Sequence, residues 1–275
     1  MMNKLFKLKF SLEKKSYNFL KYLNWKLGRY DEEAVYFYTF HKCASTLFSS
    51  YVLKMTQGLY HIDYADKIFR GTLNKKIDFS KNGVVYGPIR LSTPDNVPGY
   101  KLVDKVCKPN FIMDKRAIFF VRDPRDILVS SYYSFGYTHG LSSVEEIRRK
   151  QIEQRKYIQK LSLDEYVVDS AFKMNEYFAN MIKLNEACKD GVVVKYEDMV
   201  NNWDIFRDQM VKSLKLDKKI LKNIYEMSRP KKKEDKTSHQ RSGKSGGYKK
   251  KLKKETIKKI NEELSTVLKY FDYEI

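Results

Sequence analysis

Two stretches of the chain limit its fold more than any others. Residues 35–49, VYFYTFHKCASTLFS, and residues 117–135, AIFFVRDPRDILVSSYYSF, each pass from an apolar, β-branched and aromatic run through a short polar turn into a helix-like pattern. An apolar run without polar alternation reads as a strand covered on both faces. A strand feeding a helix is half of the crossover unit that builds a parallel sheet. Ala34–Phe40, Val84–Leu91, Ala117–Val121 and Gly191–Lys195 read as strands. The expected fold is therefore α/β: a central parallel β-sheet of about four to five strands, flanked by helices on both faces.

The helical expectations follow from period and caps. One helix is expected over Ala44–Leu59, and another runs from Asp123-Pro124, with Pro in its first turn, towards Phe135. Helical patterning covers Ser143–Ala187, with a start at Ser162-Leu163-Asp164, and residues 203–227 suit one or two amphipathic helices. Residues 228–248 are polar, basic and Gly/Ser-rich, hence a loop. Lys249–Phe271 reads as one closing helix with apolar spacing at Leu252, Ile257, Ile260, Leu264 and Leu268. Residues 60–82 yield no element.

Charge narrows the partners. Lys and Arg number 54 against 34 Asp and Glu, a formal +20, and residues 212–259 hold 19 of the cations against 5 carboxylates. Such a chain favours anions: nucleotides, sulfated or acidic glycans, anionic lipid surfaces or nucleic acid. Cys43, Cys107 and Cys188 are odd in number, widely spaced and form no CxxC pair, which points away from a disulfide framework or zinc site and suits a reducing compartment. Residues 1–33 form a basic segment whose apolar residues are interrupted by Lys every few positions. It can make an amphipathic basic helix but holds no run of membrane length, so a cytoplasmic location is expected, with peripheral membrane contact left open.

The turns carry the chemistry. In His41-Lys42-Cys43-Ala44-Ser45-Thr46-Leu47 small residues let the backbone bend closely around an anion, Ser45 and Thr46 add hydroxyl donors, and Lys42 adds a mobile cation. It is not a Walker A loop, for GxxxxGK[ST] is missing. Gly243-Lys244-Ser245 mimics the end of one, but position 238 is Ser and no strand precedes it. Arg122 ends a buried strand, where ligand-binding groups of open α/β sheets collect. Ser130 follows just over two helical turns later, so a guanidinium and a hydroxyl can share one phosphate. A third basic, glycine-rich stretch, RSGKSGGYK at 241–249, could close over such an anion.

On these residues the chain resembles the sulfotransferases that use 3′-phosphoadenosine-5′-phosphosulfate (PAPS). Their loop Pro-Lys-Ser-Gly-Thr-Thr, which holds the 5′-phosphosulfate, is similar to His41–Thr46, with the Lys and final Thr kept and Ala44 in place of Gly. Their Arg and Ser eight residues apart, which bind the 3′-phosphate, match Arg122 and Ser130. Their Arg-x-Gly-x-x-Gly-x-Trp-Lys matches Arg241, Gly243, Gly246 and Lys249, with Tyr248 for Trp. The Tyr-Glu-Asp-Met at 196–199 is similar too. The resemblance spans about 34–271 and implies a P-loop nucleotide-kinase-like α/β fold in one sulfotransferase domain, 34–275, with 228–248 covering the cofactor.

It further implies PAPS as cofactor, with Lys42, Cys43, Ala44, Ser45, Thr46, Leu47, Arg122, Ser130, Tyr196, Arg241, Ser242 and Gly243 around it and Lys42 catalytic. No metal is expected. The general base is the departure from the family: where the cytosolic members carry Lys-Thr-His-Leu-Pro, this chain has Arg90-Leu91-Ser92-Thr93-Pro94. His41 is the candidate nearest the cradle; His61, Asp63, Asp66 and His139 are others. The acceptor is expected to be a small molecule, glycan or lipid headgroup rather than nucleic acid, and no feature sets an oligomeric state. The competing readings are a nucleotide or small-molecule kinase and a non-enzymatic polyanion or nucleic-acid binder.

Overall fold

A computed structural model describes residues 16–63, 68–71, 78–91, 104–230 and 243–275. Five strands, β1 (Val35–Thr39), β2 (Tyr60–Ile62), β3 (Val84–Arg90), β4 (Arg116–Val121) and β5 (Asp190–Lys195), form one all-parallel sheet in the order β2-β3-β1-β4-β5. β1 lies at the centre, with β3 on one side and β4 on the other. The chain thus leaves β1 in one direction and later returns to its far flank, which opens a crevice beyond the strands' carboxyl ends.

The strands are apolar on both faces because both faces are covered. Phe37 stacks on Phe48 at 4.5 Å and on Phe120 at 5.9 Å, and Phe120 meets Phe206 of the helix Trp203–Leu214 at 6.4 Å. The alternate residues point the other way. Tyr36 sets its ring edge against Phe111 at 5.2 Å, and Phe40, just past β1, stacks on Phe178 of the helix Leu163–Ala187 at 4.2 Å. One contiguous core runs from Ala34 to Phe271. Between β1 and β3 the register shifts at Tyr36/Tyr38, opposite Gly87 and Pro88. Pro88 has no N–H to give, and a Cβ on Gly87 would lie 2.7 Å from the Phe37 carbonyl oxygen, so a regular ladder is impossible there.

Three expectations change. The helix expected over 44–59 stops at Ser50 and continues as a 3₁₀ turn, Val52–Met55, because Tyr51 leaves helical geometry and Lys21 takes the carbonyl oxygens of Lys54 and Thr56. β2 falls in the stretch that showed no element, since three residues are too few to display a period. The closing helix is three helices, Tyr248–Lys251, Lys254–Glu263 and Ser265–Tyr270, and at the first break the Asp164 carboxylate accepts the Lys253 N–H at 3.0 Å. The helix start at Ser162 is a capping box, with Glu165 N–H donating to the Ser162 hydroxyl and Ser162 N–H to the Glu165 carboxylate.

Candidate functional site

The turn after β1 is strained and is held by its neighbours. Lys42 and Ala44 both have positive φ, 67° and 51°, a conformation costing a residue with a Cβ about 1–2 kcal/mol. Alternating left-handed residues turn successive N–H groups inward, the geometry of an anion nest. The Lys42 carbonyl accepts from Arg122 Nη1 at 2.9 Å, and its ammonium donates to Ser134 Oγ at 2.9 Å. Ser45 Oγ accepts from Arg90 Nε at 3.3 Å, which brings a cation from the end of β3 into the site. The Cys43 side chain is fully buried in the core, and burial pushes the thiol up to about 12. Cys43 can serve a ligand only through its backbone.

Arg122 leaves β4 towards this turn. Its guanidinium lies 4.3 Å from the centre of the Tyr196 ring, 3.7 Å from Asp126 and within 3.3 Å of the Lys244 carbonyl. Its buried Nε has no hydrogen-bond partner among the described residues. Asp123 caps the following helix, Pro124–Tyr133, by accepting the Arg125 N–H. Ser130, on that helix, faces the same cleft as Arg122.

The described part of the basic glycine-rich stretch, from Gly243 onward, lines the cleft and is tied down at every residue from 243 to 246. Tyr196 donates its hydroxyl to the Gly243 carbonyl at 2.6 Å, and Asn201 Nδ2 donates to Ser245 Oγ at 2.9 Å. The Asp126 carboxylate accepts the N–H of Gly246 at 2.7 Å and of Tyr248 at 3.0 Å. Burial pushes this carboxyl above its usual range, and Arg122 beside it pulls the other way. Glu197 is also raised by burial; it accepts the Asp123 N–H at 3.1 Å and the Tyr273 hydroxyl at 3.2 Å.

Beside this strap the cleft measures about 670 Å³. Among the described residues Lys42, Arg90, Arg122, Lys244 and Lys251 line it with Asp63 and Asp126, an excess of positive charge that favours anions. A second cavity of about 500 Å³ adjoins it, and the two share His41, Phe69 and His139. The helix Pro124–Tyr133 widens here into a π-helical turn, Ser134–Thr138, a geometry common at functional sites. That turn sets Phe135 between the two imidazoles, edge-on to His41 at 5.7 Å and to His139 at 5.2 Å. Arg155 fixes it from outside by donating to the carbonyls of Phe135 and His139. His41 is held well below its ordinary range, first by burial and then by Arg90, His139 and Lys42.

The sequence-derived candidates thus converge unevenly. His41, Lys42, Ala44, Ser45, Thr46, Leu47, Arg122, Ser130, Tyr196 and Gly243 line one cleft. Asp63 and His139 line it too. His61 does not: it lies buried on β2 with Nε2 2.7 Å from the Gly87 carbonyl, a structural contact. Arg241, Ser242, Asp66 and residues 92–94 of the base-position segment lie outside the described residues. Arg90, Ser134 and Asp126 were not singled out by sequence. Arg90 could have been, as the charged residue ending an otherwise apolar strand.

A comparison with protein-family profiles finds no match, and neither does one with curated protein sequences. Among solved structures the chain is similar to one described as "Crystal structure of mouse sulfotransferase SULT7A1 complexed with PAP". The TM-score is 0.52 and the identity 13%, over 87% of this chain and 86% of that one. The protein has a sulfotransferase-like α/β fold, a five-stranded parallel sheet flanked by helices.

Proposed function

We propose that this chain is a sulfotransferase that moves the sulfuryl group of PAPS to a hydroxyl or amine acceptor by in-line displacement, its domain being residues 34–275. One observation carries the reading: two separate cationic groups meet at one crevice, Lys42 in the strained turn after β1 and Arg122 with Ser130 after β4. A nucleotide phosphorylated at both ends calls for two such groups, whereas a single phosphate would leave one idle. The Arg122 Nε, which has no partner among the described residues, and the five cations those residues place in the cleft fit a ligand of that charge. The complex of the fold neighbour with PAP, as its description states, supports the same donor.

PAPS supplies the activated sulfuryl group; the chain's residues do the rest. The inward N–H groups of the nest and Thr46 bind the 5′-phosphate end. Lys42, steadied by Ser134, places its ammonium where charge gathers on the leaving oxygen. Arg122, Ser130 and Arg241 hold the 3′-phosphate, and Tyr196 closes the site together with Ser242 and Gly243. The acceptor comes through the second cavity, so its reacting oxygen or nitrogen arrives at the junction of the two spaces. His41 at that junction takes the acceptor's proton as the new bond to sulfur forms and the bond to the phosphate oxygen breaks, the negative charge of the bound donor offsetting the burial and the cations that lower its basicity.

Calorimetric titration with 3′,5′-diphosphoadenosine and with ATP, both without magnesium, tests the donor. Tighter binding of the diphosphate by at least about tenfold is expected, a difference of about 1.4 kcal/mol. Equal or tighter ATP binding favours a kinase, and steeply salt-dependent polynucleotide binding without nucleotide preference favours a polyanion binder. Lys42→Ala should lower the transfer rate at saturating donor by about 100- to 1,000-fold. A near-wild-type rate removes Lys42 from the chemistry.

A further inference from the structure

The helix over residues 16–26 is mounted with its apolar face outward. Lys21 turns into the body, 3% exposed, and its ammonium donates to the carbonyls of Lys54 at 3.0 Å and Thr56 at 2.6 Å and to Thr56 Oγ1 at 3.1 Å. Trp25, one turn later on the same side, stacks on Tyr60 at 5.2 Å and donates its indole N–H to the Asn82 carbonyl at 3.1 Å. At about 100° per residue the opposite side gathers Phe19, Leu20, Leu23 and Leu27. They are 61%, 57%, 38% and 64% exposed. A contiguous exposed face of this kind marks an interaction surface, unlike single apolar residues scattered elsewhere.

The surrounding charge says what covers it. The basic segment 1–33 carries eight Lys and Arg, one of them the inward-turned Lys21, against four Asp and Glu, and Lys26 flanks the apolar stripe. An apolar helical face bordered by ammonium groups is suited to the headgroup region of an anionic bilayer, where apolar burial and charge attraction add. A second copy of the chain would bring the same positive excess to the contact, and like charges oppose it. We propose that this helix seats the protein on an anionic lipid surface, with Phe19, Leu20, Leu23 and Leu27 entering the headgroup boundary and the lysines facing lipid phosphates. The protein then works as a peripheral membrane protein, held by a helix lying in the interface. Nothing here depends on the sulfotransferase reading.

The test is co-sedimentation of the full chain with phosphatidylcholine vesicles, with and without phosphatidylserine. Enrichment on the serine-containing vesicles, weakened by salt, is expected. The exposed double substitution Phe19→Ser, Leu27→Ser should cut that partition by about tenfold or more, with the unfolding midpoint unchanged. Absence of enrichment, or equal partition of the variant, overturns the proposal. So does a concentration-dependent dimer that the variant abolishes while vesicles bind neither form, which assigns the face to a second copy.

Discussion

At the scale of single residues, positions that contradict ordinary preference define this protein. Ala44 holds positive φ where the resembled loop has Gly, so the nest is kept at a cost in strain, offset by the bonds of Arg122 and Arg90 around it. Lys21 is buried with its charge, and burial lowers its pKa to about 7 from the ordinary 10.5. Between those values the unfolded chain holds a proton that the folded chain has released, so folding stability rises with pH through this window. Over pH 7–9 the wild type should gain on Lys21→Met by up to about 1.4 kcal/mol per pH unit, read from urea midpoints. A gap that stays constant across that range contradicts the buried, neutralised lysine. None of this was legible beforehand, because Lys21 sits among other Lys residues that look alike in the sequence.

At the scale of elements, one carboxylate makes two of the bonds that hold the strap along the cleft. Asp126 follows Arg122 by four residues, and nothing in the sequence singles it out. In the structure it is 3% exposed and holds the Gly246 and Tyr248 N–H groups. Asp126→Asn keeps the shape but loses the charge and one acceptor oxygen. Hydrogen exchange at Gly246 and Tyr248 should accelerate by about tenfold, consistent with about 1.4 kcal/mol for charge-assisted bonds. Unchanged protection of both amides means the strap is held otherwise. The strand–turn–helix units at β1 and β4 were legible because each carries its signal within fifteen to twenty residues. The strap's anchor was not, since its partners lie 120 and 122 residues apart.

For the whole molecule, the C-terminal helices are tied to the site through Arg125. This residue is 1% exposed, pairs with both carboxylate oxygens of Asp123 at 2.9 and 2.8 Å, and donates to Asn261 Oδ1 at 2.9 Å and the Glu274 carbonyl at 2.6 Å. Its guanidinium also covers the Tyr248 ring at 4.3 Å. Arg125→Ala leaves Asp123 buried and unpaired, which should cost about 3–5 kcal/mol of unfolding free energy by denaturant titration. A loss below about 1 kcal/mol would show the terminus to be held by packing alone.

What the sequence by itself determined are properties written locally. The apolar runs specify parallel strands, while the small-residue turn after β1, the Arg122–Ser130 spacing and the charge excess carry the expectation of an anionic ligand. What only the tertiary structure decided are properties created by juxtaposition. The sheet order puts those two turns side by side at the ends of the adjacent strands β1 and β4, β3 contributes Arg90, the π-helical turn brings His139 into the same cleft as His41 while His61 goes to packing, and the basic helix turns its apolar face outward. The physical reason is range. Backbone preference and hydrophobic period act over a few residues, whereas a cleft is made where strand ends far apart in the chain meet, and its strap is bonded to Asp126 across 120 and 122 residues.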